Sequence, residues 1–181
     1  MPVQTKRMAT SARLPRPAKA ATPKLTVEAV MEILRTTVPR LDELTRGVPQ
    51  KHLTAVTDYG WSVNDQLAHL RACHDVLGGN MLRIVREDHP AWKGMNPRAW
   101  QTQTDYFDWK FAPAFEAFRA QRAELLMVLE PLPAAAWERT ATVSAPPGLV
   151  YEYSVLYYGD WMAGHERSHL KHIARILKEL A

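Results

Sequence analysis

The segment from Ser154 to about Leu180 constrains this chain more than any other. Its apolar residues recur at helical spacing, and the stripe that carries Tyr158, Trp161, Met162, Ile176 and Leu180 also carries His165, His169 and His172. At about 100° per residue, His169 lies roughly 40° and His172 roughly 20° from the direction of His165, so three imidazoles share one face of one helix. Such a stripe has to be buried, yet an imidazole costs more to bury than an aliphatic side chain. Three together repay that cost most simply when a divalent cation takes their lone pairs. A polar core cluster satisfied by hydrogen bonds and water is the competing reading.

Three further helices are predicted to bury this stripe. The first follows Thr26 as N-cap and runs to about Arg46, with Pro39 bending it and Gly47 stopping it. The second follows Ser62, with Asp65 completing a capping box, and carries Val63, Leu67, Leu70, His74, Leu77, Met81 and Ile84 at alternating spacings of four and three before ending near Asp88. A connection through Trp92, Gly94, Pro97 and Trp100 leads to a third helix from about Tyr106 to Glu130, regular from about Pro113. A short turn around Ala134 to Trp137 and a Pro146-Pro147-Gly148 break precede the last helix. With only eight glycines and apolar segments longer than strands, the chain reads as all-α, an up-down four-helix bundle in one domain over residues 25–181.

Charge is concentrated outside that domain. Residues 1–24 hold six Lys or Arg and no acid, which leaves 17 basic residues against 19 acids in the rest of the chain. This leader, with four prolines and little apolar content, is expected to be disordered and solvated rather than a targeting peptide or a nucleic-acid arm. Cys73 is the one cysteine, so no disulfide forms within the chain, which fits a reducing compartment. No apolar stretch approaches the roughly 20 residues that cross a bilayer. The expectation is a soluble, cytoplasmic protein with no membrane or nucleic-acid partner.

His165-Glu166-Arg167-Ser168-His169 is also the His-Glu-x-x-His pattern of zincin-like peptidases, in which two His hold zinc and the Glu acts as base. Those enzymes take a third ligand from beyond the motif, whereas here the same helical pattern continues to the end of the chain. A third ligand therefore comes from upstream. His69 is the candidate, at the edge of the second helix's stripe with Cys73 one turn on; His74, nearer the stripe's centre, is the competing choice and cannot share a face with His69. Glu166 is rotated about 100° off the ligand face, open to a role as general base, to solvating the surface or to pairing with a nearby cation.

The Trp61-Ser62 start leading to Leu67-Ala68-His69-Leu70, the Phe-rich third helix, Leu-Pro followed by Trp137-Glu138-Arg139, and Ala163-Gly164-His165-Glu166-Arg167-Ser168-His169-Leu170 together resemble the DinB family of four-helix metal-binding proteins, from about Leu25 to Leu180. The resemblance implies that His69, His165 and His169 are the three metal ligands. It also implies zinc or nickel as the metal, a fourth position open to water and a common tendency to dimerise. Bacterial thiol-dependent S-transferases and isomerases belong to the family. Where similar sequences often carry Gln, this chain has His172, open to a role as supporting donor, fourth ligand or proton shuttle.

Three neutral imidazoles leave a bound cation strongly Lewis acidic, able to activate water or to bind a thiol as thiolate. Tyr158, Trp161, Cys73 and His172 are candidate pocket or supporting residues around it, although aromatic stripes more commonly pack cores. The leading expectation is a metal-dependent enzyme acting by hydrolysis or thiol transfer on a small molecule, with a low-molecular-weight thiol as a possible co-substrate. A bundle braced by a structural metal comes second and a peptidase third. Four protein ligands would favour the structural reading, because structural zinc is closed and catalytic zinc is open.

Overall fold

The computed structural model describes residues 22–58, 60–146 and 148–181. The basic leader expected over residues 1–24 lies outside them, apart from its last three residues. Where the described chain begins, the Lys24 and Leu25 amides donate to the Asp160 carboxylate at 3.2 and 3.1 Å.

Four long helical stretches form the bundle. Helix α1 (Val27–Thr45) starts where the Thr26 hydroxyl accepts from the Ala29 amide, and the chain turns out of it through Gly47 at φ +74°. After a short α2 (Gln50–Leu53), Ser62 and Asp65 close a reciprocal capping box on α3 (Val63–Cys73). A π-helical turn (His74–Gly78) joins α3 to α4 (Gly79–Arg86) without a break. Then come β1 (Ala91–Lys93), α5 (Pro97–Gln101), a 3-10 turn (Tyr106–Asp108) and α6 (Phe111–Leu129). The chain finishes with α7 (Ala134–Trp137), β2 (Thr140–Ala145), β3 (Leu149–Ser154) and α8 (Val155–Leu180), whose first turn is capped by Ser154.

The helical class and the four-helix bundle stand, and two features add to them. First, α1 and α3 are each flanked by α6 and α8, so consecutive long helices face one another across the diagonal. Short loops would force them side by side; the long connections before α3 and α6 permit the crossing. Second, the segment around the expected Pro-Gly break forms a hairpin, β2 antiparallel to β3, with β1 added parallel to β2. Ala141 and Val143 alternate inward from β2, a period of two that covers one end of the bundle.

Packing is tightest where α8 begins. A Cβ on Gly159 would come 2.9 Å from Val30 Cγ1, so only glycine lets α1 approach this closely. The interior divides into two apolar clusters. One gathers Leu34, Leu77, Leu125, Trp137 and Met162; the other gathers Leu41, Leu70, Phe118, Leu170 and Ile173. Each helix crosses between them through a buried polar residue: Thr37 on α1, His69 on α3, Arg122 on α6, and Glu166 and His169 on α8. Buried polar groups persist only when they are satisfied, and this belt is where the chemistry lies.

Candidate metal centre

Three imidazoles converge where α3 meets α8. One ring nitrogen from each of His69, His165 and His169 lies within 4.8 Å of the other two. His165 Nε2 stands 3.2 Å from His169 Nε2. Two imidazole nitrogens on one tetrahedral zinc would be about 3.3 Å apart, given bonds of roughly 2.0–2.1 Å. The spacing is that of ligands around a shared centre.

Two glutamines set the tautomers. His69 Nδ1 donates to Gln101 Oε1 at 3.0 Å, and His169 Nδ1 donates to Gln66 Oε1. An amide oxygen only accepts, so both rings hold their proton on Nδ1 and present an Nε2 lone pair to the cluster. His165 Nδ1 is buried without a hydrogen-bond partner. His165 Nε2 can therefore carry the proton that it shares with His169 Nε2, and a cation bound there would take that proton's place. Burial pushes the pKa of all three rings down, to about 4 at His165 and about 3 at His169; the Arg98 charge adds to the effect at each, and neighbouring imidazoles add to it at His165 and His169. At neutral pH the donors are therefore uncharged, the form that binds metal.

His74 does not join them. It is buried against the edge of Phe118, ring centroids 6.4 Å apart, and burial lowers its pKa to about 3. His172 is also outside the set of three, with its ring 6.1 Å from that of His169. Cys73 Sγ lies 3.4 Å from His69 Nε2, and burial pushes its thiol up to about 12, so it stays protonated and donates to that nitrogen. Among the described residues, no fourth His, Cys, Asp or Glu completes the cluster.

The structure corrects the expectation of Glu166 as general base. Its carboxylate is buried on the other side of α8, paired with both terminal nitrogens of Arg122, and accepts the Thr37 hydroxyl at 2.8 Å. Arg122 also donates to the Leu34 carbonyl at 2.8 Å. With its oxygens engaged in this way, Glu166 cannot serve as the base that a zincin-like peptidase requires, although the pairing with an arginine was one of the roles left open to it.

A cavity of about 450 Å³ opens beside the histidines. His69, His165 and Cys73 form its floor, Tyr158 and Trp161 of α8 form one wall, and Tyr151 and Tyr153 of β3 extend that wall. The aromatic rings continue one another, with Tyr153 stacked on Tyr157 at 4.2 Å and Trp161 a further 6.4 Å on. Trp161 is 44% exposed, which makes it a rim residue and not a core one.

Gly94 to Arg98 also line the cavity; they belong to a strap that runs from β1 through α5 to the 3-10 turn, and this strap contains what the sequence did not reveal. Asp75 accepts from Trp100 Nε1 (2.9 Å), Tyr106 OH (2.7 Å) and Gln121 Nε2 (2.6 Å). The Arg71 guanidinium lies 3.8 Å from the Tyr106 ring centre and 4.3 Å from that of Trp109. So anchored, the strap delivers Gln101 to His69 and Arg98 to the cavity. Gln66 had a visible signal, since it precedes His69 by three residues on the same helical face. Gln101 had none.

No curated protein matches the chain. Among solved structures it is similar to YfiT from Bacillus subtilis, described as a probable metal-dependent hydrolase with an unusual four-helix bundle topology. The likeness has a TM-score of 0.71 at 15% identity and covers 89% of this chain and 94% of that one, so the fold is shared. The family model of the DinB superfamily matches residues 33–173, well over half of the sequence, and the chain belongs to that superfamily.

Proposed function

We propose that the protein is a divalent-metal-dependent enzyme that acts on a small molecule by hydrolysis or by thiol transfer. The observation that carries this reading is the convergence of His69, His165 and His169, the first two of which line a cavity, with no fourth ligand among the described residues. These residues would hold the cation through Nε2, and neutral imidazole donors suit zinc or nickel. When bound, the metal supplies Lewis acidity toward water or a thiol at its open position.

The chain's own residues do the remainder. Gln66 and Gln101 fix the ring orientations, so the donor set is assembled in advance. Cys73 lies beside His69 and narrows the floor of the cavity. The wall of Tyr151, Tyr153, Tyr158 and Trp161 offers an apolar surface to the body of a substrate and displaces water from it.

The test is metal analysis of protein purified without an affinity tag, followed by cobalt substitution. Near-stoichiometric metal, and a visible spectrum that changes on adding a small thiol or azide, are expected. Bound metal with a spectrum insensitive to every added thiol or anion would instead assign the ion a bracing role.

A further inference from the structure

We propose that the cavity receives a small organic anion, with Arg98 gripping its charged head group and the aromatic wall holding its apolar body. This names the substrate class of the site described above and rests on reading that cavity as a substrate site.

The argument is one of charge. Of the residues lining the cavity, Arg98 alone is charged at neutral pH; none is Asp, Glu or Lys. Beside a metal site, an uncompensated guanidinium and the cation raise each other's energy, and a bound anion would relieve both. Nor is Arg98 occupied elsewhere. Among the described residues it forms no ion pair, and its one ring contact is with Trp61, 5.1 Å from the guanidinium to the ring centre. Trp61 in turn meets the His69 ring edge-on at 5.2 Å, so the stack leads from the arginine to the histidines. An anion in the cavity would meet both the guanidinium and the cation, neutralising a field that the protein leaves uncancelled.

Position supports the assignment. Arg98 and Gln101 are three residues apart on α5 and so lie on one side of that turn. Gln101 is held by His69, and the strap is anchored by Asp75 and Arg71, so Arg98 projects from a fixed platform while its side chain remains exposed. A planar guanidinium on such a platform takes a carboxylate or a phosphate through two parallel hydrogen bonds. The remaining lining is mostly apolar and aromatic, with Val76, Leu77, Met95 and Val143 joining the tyrosines, which suits a body without further charge.

The experiment is calorimetric titration of the full chain, freed of metal by dialysis against a chelator, with 2-naphthoate, 2-naphthyl phosphate and neutral 2-naphthamide. One of the two anions should bind at least about tenfold more tightly than the amide, the value of a hydrogen-bonded charge. Whichever anion is the tighter identifies the head group as carboxylate or phosphate. Arg98→Gln should bring that anion's affinity down to that of the amide, and Arg98→Lys should keep part of the preference. An unchanged melting temperature in Arg98→Gln, expected for an exposed side chain without an ion pair, shows that the fold is intact. Equal binding of anion and amide, a preference that survives in Arg98→Gln, or no binding of any probe at millimolar concentration would each overturn the proposal. Because the titration is metal-free, an anion preference in a protein that proves to bind no metal would defeat the catalytic reading and leave this one standing.

Discussion

The two sides of α8 both turn polar residues inward and treat them in opposite ways. On one side, Glu166 meets Arg122 and Thr37, and Arg122 meets the Leu34 carbonyl, so both charged groups find partners inside the protein. On the other, glutamines satisfy the Nδ1 protons of His69 and His169, and the Nε2 atoms turn toward the cluster, where they meet only His165 and the Cys73 thiol. The first arrangement is closed and the second is one ligand short. Burial of polar groups alone therefore says little about function. What distinguishes the histidine side is an acceptor set that no further ligand among the described residues completes.

Replacing a histidine should have the largest effect on that contrast. His169→Ala is expected to reduce bound metal from near stoichiometric to near zero, read by mass spectrometry of tag-free protein, with the fold retained by circular dichroism. Next, Glu166→Ala should cost about 3–5 kcal/mol in urea unfolding, because it strands the buried Arg122 charge, while leaving metal content intact. Replacing both partners by methionine should recover most of that loss. If Glu166→Ala lost the metal and His169→Ala the fold, the two sides would not be separable in this way.

A smaller change is expected from the glutamines. Gln101→Ala should weaken zinc binding roughly 10- to 100-fold in competition with a chelator, the usual consequence of losing the acceptor that orients a ligand histidine. The smallest effect concerns pH. His74 has a folded pKa of about 3 against an ordinary 6.5, so the unfolded chain takes up a proton below about pH 6.5 that the folded one refuses until about pH 3. Stability should fall as pH drops through that window. His74→Phe should flatten the fall by one site's share in urea titrations at pH 7 and pH 4.5, while metal binding at pH 7 is unchanged.

Much of this was legible in the sequence because it is local. Thr26, Ser62 and Ser154 cap the helices they were expected to start, and the Ser62–Asp65 box follows from a spacing of three. The pairing of His165 with His169 follows from a spacing of four. The choice of His69 over His74 rested on family resemblance, and the structure brings His69 to the cluster. What escaped was non-local. Arg122 lies 44 residues from Glu166, and Gln101 lies 32 from His69, distances over which periodicity has no reach. The hairpin of β2 and β3 has inward Ala141 and Val143, but this alternation is too brief to outweigh the Pro-Gly signal beside it. The π-helical turn at His74–Gly78 shifts the face of α4 relative to α3, a change invisible to a constant period.

The short helix α5 ties two binding events together. Gln101 steadies a metal ligand and Arg98 faces the cavity, one turn apart on a five-residue element. Because Asp75 and Arg71 already anchor the strap, a cation held by His69 and an anion held by Arg98 would be coupled through charge, the anion offsetting the repulsion between the two positive centres. Linkage requires the two gains to be equal, so occupancy of either site tightens the other by one shared factor. The strap would then hold each component most firmly when both are present.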